Sequence, residues 1–274
     1  MIFVRDKGQM CNNMLQYGHM YAWGREHGRT TVSMRFAYKY QYFNICDTRY
    51  HWFVTYLFAK WGAGLGLIPR VTFPFEKGLD TSKQEAELMQ HRMCIAEGWR
   101  VEFPELFRKY KKEIIELFQF KTYISKTVNE RMAERDGGKT MRLGVHIRRG
   151  DYKTWNDGKY FFNDIVYASF ITRFMRINHD RKVSVYISTN DPGVNEATFR
   201  KLCDDNNIFI LKGNPAEDLC MLSECDYIIG PPSTFSLVGC MYRDIPLHWM
   251  MTSDPEALTT DGFKSFDELF TQIL

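Results

Sequence analysis

The stretch Leu143-Gly-Val-His-Ile-Arg-Arg-Gly-Asp-Tyr152, halfway along the chain, decides the fold. Its apolar run from Leu143 to Ile147, with His146 inside it, reads as a buried strand of a parallel sheet. The run ends on two adjacent arginines, then a glycine that permits a turn, then Asp151 and Tyr152. Open α/β sheets bind ligands at the carboxyl ends of their central strands. A guanidinium there offers a planar fork of donors matched to phosphate oxygens. The stretch therefore predicts an anion site, a diphosphate first among the candidates.

Outward from this strand the second half alternates. Strands are predicted over 142–147, 183–188, 208–211, 227–229 and 246–250, with helices over 161–178, 194–203, from 215, from 233 to about 242, and from 265. The third helix carries a strong start signal: Asn214 as cap, Pro215 at the first position and Glu217 three residues after the cap. Five strands alternating with helices make a doubly wound parallel sheet. Its like-polarity strand ends bring three loops to one edge: His146–Tyr152, Ser188-Thr-Asn-Asp191 and Pro231–Ser236. The first supplies cations. The last places Ser233, Thr234 and Ser236 at a helix start, where free N–H groups and the helix dipole favour an anion. The middle loop offers acceptors for a base or ribose hydroxyls. Taken singly, each has a plain structural reading. Arg148 and Arg149 could pair with Asp151 at the surface, Ser233 or Thr234 could be a helix cap, and His146 a core histidine. Three such loops on one edge favour a nucleotide-diphosphate pocket.

The first half opens in the same style. Residues 1–4 read as a strand, a polar loop follows, and 10–27 read as a helix stopped by Gly28, with a second strand at 30–34. The glycine spacing lacks G-x-G-x-x-G, so a dinucleotide site is not indicated. Residues 36–70 hold eleven aromatic rings, from Phe36 to Trp61, and read as a helical core, with a cleft that stacks on sugar faces as the functional alternative. Helical spacing covers 102–134, and Asp136-Gly-Gly-Lys139 reads as a linker. The expected domains are 1–138 and 139–274, with the last helix free to return to the first.

Composition bounds the function. The chain has 274 residues, 45% hydrophobic and 15% aromatic, enough for sizeable cores. A net charge of +3, with Lys and Arg spread along the chain, does not suggest a nucleic-acid partner. Seven cysteines with no CxxC pair read as reduced core residues. The start Met1-Ile-Phe-Val-Arg-Asp-Lys7 does not resemble a signal peptide, and a soluble cytoplasmic protein is expected.

His146-Ile-Arg-Arg-Gly-Asp151 resembles the H-x-R-R-x-D signature of α-1,2-, α-1,6- and protein O-fucosyltransferases. The chain is most similar to the bacterial α-1,2-fucosyltransferase family, through Ile187-Ser-Thr-Asn-Asp-Pro192, Asp218-Leu-Cys-Met-Leu-Ser-Glu-Cys225, Ser233-Thr-Phe-Ser236 and Gly8-Gln-Met-Cys-Asn-Asn-Met-Leu-Gln-Tyr17. It departs from the family at Asn12-Asn13, where Asn-Gln is usual, and at Leu237 and Val238, where tryptophans are usual.

The resemblance implies a GT-B-like fold, two Rossmann-like domains with parallel sheets facing a cleft. It implies inverting, metal-independent transfer of L-fucose from GDP-fucose to a galactoside hydroxyl, in α-1,2 linkage, for surface glycan synthesis. No D-x-D occurs in the chain, and no metal or cofactor is expected. Arg148 would contact the β-phosphate and Arg149 the diphosphate or guanine. Ser233, Thr234, Phe235 and Ser236 would line the phosphates, and Asn190, Asp191 or Asp218 would accept from guanine. Asp151 is the first candidate for the base, His146 the second, and Asp6 or Glu26 the third. Gln9, Asn12 and Asn13 would touch the acceptor glycan, and a lipid-linked acceptor would bring the protein to a membrane periphery. The alternatives are a non-catalytic nucleotide or phospho-ligand binder and a transferase of another nucleotide sugar.

Overall fold

A computed structural model of the chain describes residues 1–5, 7–76, 80–138 and 140–273. They form two compact units, Met1–Lys121 and Thr122–Ile273. The division falls earlier than the linker near 138. Helix α6 (Thr122–Asp136) belongs to the second unit, where the Tyr186 hydroxyl donates to the Met132 carbonyl at 2.9 Å and Arg142 pairs with Asp136 at 2.7 Å. The apolar positions Ile124, Val128 and Met132 predict a buried stripe, but periodicity does not say which core receives it.

The first unit holds strands β1 (Ile2–Arg5), β2 (Thr31–Ser33), β3 (Arg70–Phe73) and β4 (Cys94–Gly98) in the order β2-β1-β4-β3, all parallel. Its helices are α1 (Met10–Glu26), α2 (Phe53–Gly64), α3 (Ser82–Gln90), α4 (Pro104–Lys109) and α5 (Lys111–Leu117). Apolar residues surround α1, and Met14, Tyr17, Met20 and Trp23 are all buried. Such a helix has to be covered on several sides. At Gly18 a methyl group would stand 2.4 Å from the Phe107 ring, so the glycine lets α4 close over α1.

The aromatic segment 36–70 is a core only in part. Phe36 and Phe43 are buried, with ring centres 5.0 and 6.0 Å from Phe118. Trp52, Phe53, Phe58 and Trp61 face solvent instead, and helix occupies only Phe53–Gly64 of the segment with one short 3-10 turn at Asn44–Asp47. The polar stretch 77–83 reads from its sequence as an exposed loop; residues 77–79 lie outside the described residues, and α3 begins at Ser82.

The second unit holds β5 (Met141–Ile147), α7 (Asp164–Ile177), β6 (Val183–Thr189), α8 (Glu196–Cys203), β7 (Ile208–Phe209), α9 (Pro215–Ser223), β8 (Tyr227–Gly230), α10 (Thr234–Met241), β9 (Leu247–Trp249) and α11 (Phe266–Ile273). The sheet runs β7-β6-β5-β8-β9 and every pairing is parallel. Strand β5 is central, buried from Leu143 to Ile147 and paired along its whole length with β6. The capping box forms at α9: Asn214 accepts from the Ala216 and Glu217 amides, and Glu217 accepts from the Asn214 amide. The last helix, which the sequence left free to return to the first unit, belongs to the second. It packs on α10, with Leu269 and Phe270 buried, and the Phe266 amide donates to Asp244. All seven cysteines are free, and six are buried. Among the described residues no helix is long and apolar enough to cross a membrane.

Two buried histidines brace the first unit. His19 Nδ1 accepts from the Phe103 amide at 2.9 Å, and His51 Nε2 accepts from the Ser33 amide at 3.0 Å. His51 Nδ1 therefore carries the proton and donates to the Thr48 hydroxyl at 2.8 Å, which donates on to the Ile45 carbonyl. Burial pulls the two rings down to pKa values of about 3 and about 4, below the 6.5 of an exposed imidazole. The unfolded chain then takes up protons before the folded one does. Stability should fall as pH drops from about 6.5 toward 4, by up to about 1.4 kcal/mol per pH unit for each ring. Urea midpoints at pH 7 and pH 5 test this, and the lower value is expected at pH 5.

Candidate functional site

In the second unit the connection order reverses beside β5: β6 and β7 lie on one side, β8 and β9 on the other. Such a reversal opens a crevice above the carboxyl ends of the two strands that flank it. The register sets His146 opposite Ser188 and Val145 opposite Ile229, so the loops after β5, β6 and β8 leave the same edge. They also touch. The Arg149 amide donates to Asn190 Oδ1 at 2.9 Å, and the Tyr152 hydroxyl donates to the Pro232 carbonyl. A methyl group at Gly150 would stand 2.8 Å from Asn190 Nδ2, and one at Gly230 would stand 2.8 Å from the His146 carbonyl. The three loops expected to converge thus do so, and glycines set how closely.

The two arginines are placed differently. Arg149 is largely buried and each of its three guanidinium nitrogens is engaged. Nε donates to the Phe162 carbonyl at 3.1 Å, one terminal nitrogen to Asp191 at 3.1 Å, and the other to Asp164 at the start of α7. The Tyr167 ring lies 6.0 Å from its charge. Arg148 is more open, with Asp151 at 2.9 Å and the face of Tyr152 at 5.7 Å. Arg148 and Asp151 thus form the surface pair weighed from sequence, while Arg149 is held by partners far along the chain. A guanidinium that faces one half-solvated carboxylate can exchange it for a phosphate. One locked between two carboxylates and a carbonyl acts by shaping the loop.

His146 is buried, its ring 5.0 Å from that of Phe235, and its Nδ1 has no hydrogen-bond partner. Burial first, and the Arg148 charge second, pull its pKa down to about 3. An imidazole so weakly basic takes up a proton poorly, which weighs against His146 as the base. Asp218, in the first turn of α9, is pushed the other way, up to about 7, chiefly by burial; Ser188 Oγ, 3.5 Å away, opposes the rise. Near neutrality this carboxyl exists in both forms and can accept or donate.

Asn190 and Asp191 are occupied within the protein. Asn190 holds the Arg149 amide, and Asp191 accepts from the Gly193 amide at 2.9 Å as well as from Arg149; those bonds keep its carboxyl below the usual range. Ser233 caps α10, accepting from the Phe235 amide at 3.2 Å, and the buried Ser236 hydroxyl donates back to the Ser233 carbonyl. Thr234 and Phe235 stay partly exposed on the first turn. Among the described residues no group of three or more His, Cys, Asp or Glu is arranged to hold a metal ion.

Gln9, Asn12 and Asn13 sit in the first unit where the loop after β1 enters α1. Gln9 is exposed at the N-cap, Asn12 is half-buried, and Asn13 is buried with its side-chain oxygen unpartnered. Gln16 braces this loop through both the amide and the carbonyl of Lys7. Asp6 lies outside the described residues. Glu26 is at the other end of the 17-residue α1, about 25 Å from the loop, and is tied to Lys109 and Tyr110. A role beside Gln9 is therefore closed to it.

Two contributors escape the sequence reading. Asp164 looks like a first-turn helix acid, and nothing local marks it as a partner of Arg149. Tyr152 closes the motif in sequence, yet only the fold shows it joining the loops after β5 and β8.

No protein-family model and no curated protein matches the chain. Solved structures do. A point mutant of Arabidopsis thaliana FUT1 in complex with GDP superposes with a TM-score of 0.61 at 9% identity, over 96% of this chain and 73% of that one. NodZ α-1,6-fucosyltransferase soaked with GDP-fucose gives 0.55 at 13% identity, over 96% and 98%. POFUT1 in complex with GDP-fucose gives 0.50 at 11% identity, over 89% and 93%. The fold, two units with parallel sheets, is the GT-B fold of these transferases.

The arrangement separates the arginines by experiment. Arg149→Ala leaves Asp164 and Asp191 unpaired and should cost about 2–3 kcal/mol of stability, less than a fully buried pair because both carboxylates retain some water. Arg148→Ala should change stability by less than about 1 kcal/mol. Chemical denaturation of the two variants measures the difference.

Proposed function

We propose that the chain is an inverting fucosyltransferase that uses GDP-fucose. The observation that carries this is Arg148, a guanidinium held by a single exchangeable carboxylate at the strand reversal and lying over Tyr152, which bonds to the Pro232 carbonyl in the loop before α10. The fold, shared with fucosyltransferases bound to GDP and GDP-fucose, supports the choice of donor.

In this reading the diphosphate lies over the ends of β5 and β8. Arg148 leaves Asp151 for the β-phosphate, and the first turn of α10, with Ser233, Thr234 and Phe235, supplies backbone donors and the positive end of its dipole. Asp218 accepts from guanine. Arg149 holds the loop through Asn190, Asp191 and Asp164, a positioning role in place of direct contact with phosphate or guanine. As the bond between the sugar C1 and the phosphate oxygen breaks, negative charge grows on that oxygen. A fixed cation beside it favours the transition state over the ground state.

The acceptor hydroxyl attacks C1 from the opposite face and inverts the centre. Its proton passes to a base, and Asp151, released when Arg148 turns to phosphate, is the first candidate. Charge stabilisation by Arg148 and the helix start makes the transfer metal-independent. The acceptor is a galactoside, joined in α-1,2 linkage for surface glycan synthesis, with Gln9, Asn12 and Asn13 contacting it.

Arg148→Ala should lower kcat by about 10²–10³, the loss typical for one donor to a developing oxyanion, while the melting temperature is kept. GDP-fucose should raise the melting temperature more than GDP-mannose or UDP-galactose at equal millimolar concentration. Transfer should persist in EDTA. Saturable GDP binding with no turnover on any galactoside would leave a non-catalytic nucleotide binder, and an absolute Mn²⁺ requirement would overturn the mechanism.

A further inference from the structure

Helix α2 presents its large apolar residues outward. Its inner face is made of small residues: Ala59 and Gly62 are buried, Ala63 partly so, and they lie against Phe3 and Ile95 of the first sheet and Ile68 in the loop before β3. A methyl group at Gly62 would stand 2.6 Å from Ile68 Cδ1, in the loop before β3, so the close approach of that loop to α2 needs a glycine. On the solvent side Val54, Phe58, Trp61 and Leu65 are 72%, 55%, 65% and 74% exposed. Their separations of four, three and four residues put them on one stripe of the helix surface and its C-cap. Trp52, Phe53 and Leu67 add exposed apolar area beside it. A helix on a water-facing sheet ordinarily turns such residues inward. A contiguous exposed stripe of this kind marks a docking surface.

Charge identifies what covers it. Between Asp47 and Glu76 the sequence has no acidic residue, and its charged side chains are Arg49, Lys60 and Arg70, all cationic and all exposed. Tryptophan and phenylalanine beside lysine and arginine, without carboxylates, match the boundary between acyl chains and anionic headgroups. Two-fold pairing with a second copy of this chain would set the same cations against each other, which disfavours self-association. The 12-residue helix is about 18 Å long, too short to span a bilayer of about 30 Å, so it would lie in the plane of the interface.

We infer that α2 docks the protein on an anionic lipid surface. Val54, Phe58, Trp61 and Leu65 enter the acyl boundary, and Arg49, Lys60 and Arg70 meet the headgroup phosphates. This inference does not depend on the transferase reading, since none of these residues belongs to the second unit.

The test is flotation of the full chain with vesicles of phosphatidylcholine, alone and with one third phosphatidylglycerol. Binding should require phosphatidylglycerol and weaken with added salt. The triple variant Val54→Ser/Phe58→Ser/Trp61→Ser should weaken it by at least about tenfold, since each side chain loses apolar burial in the bilayer. Lys60→Glu should weaken it by about fivefold or more. The substituted residues are exposed, and unchanged circular dichroism and melting temperature would show that the fold is kept. Absence of flotation, or equal flotation by the folded triple variant, overturns the inference. So does a dimer in sedimentation equilibrium that the triple variant abolishes while vesicle binding is absent, because the stripe would then belong to a second copy.

Discussion

The clasp around Arg149 is the interaction on which the candidate site depends. One side chain joins the end of β5 to the loop after β6, through Asp191, and to the start of α7, through Asp164 and the Phe162 carbonyl. Its backbone amide adds a bond to Asn190. Taking a guanidinium and two carboxylates partly out of water is costly, and the fork geometry offsets that cost only when each of its nitrogens finds an acceptor. Here each does, so the loop has one preferred course. With Arg149 fixed inward, Arg148 is left on the open side with a single carboxylate.

Burial shapes the rest of the site's electrostatics, and it acts in opposite senses on two groups. The His146 imidazole is driven toward its neutral form by a lowered pKa, and the Asp218 carboxyl toward its neutral form by a raised one. Both shifts reflect the penalty on charge away from water. With Arg149 already compensated, the strand edge carries little fixed charge that is not paired. In the proposed reading Arg148 and the first turn of α10 then dominate the response to an incoming diphosphate, and they do so in surroundings drier than bulk solvent, where each contact is stronger.

The second unit was largely legible from sequence because its signals are local. Buried parallel strands are continuous apolar runs, and the Asn214-Pro215…Glu217 start is a hydrogen-bond pattern written within four residues. The convergence of three loops followed from strand polarity alone. The first unit was less legible. Strand β4 is a five-residue run that ends at Gly98 with a glutamate inside it, and it carries too little periodicity to stand out. The apolar side of α2 was plain, but hydrophobicity records an affinity for non-water surroundings and not where those surroundings are. Partners distant in the chain were likewise hidden: Asp164 and Asp191 are ordinary helix-start and turn acids until the fold brings Arg149 between them.

The strand order also sets a schedule for assembly. Strand β5 emerges early in its unit, but its neighbours are segments that begin at Val183 and at Tyr227, so the centre of the sheet is completed only when the chain is nearly whole. Long-range parallel pairings form slowly because the loop between them has to close first. Until β8 arrives, one edge of this central strand lies bare and can pair with another chain. The segment with the arginines at its tip is therefore also the segment most exposed to misassembly, and crowding or fast synthesis should lower the yield of folded protein through β5 before any other strand of this unit.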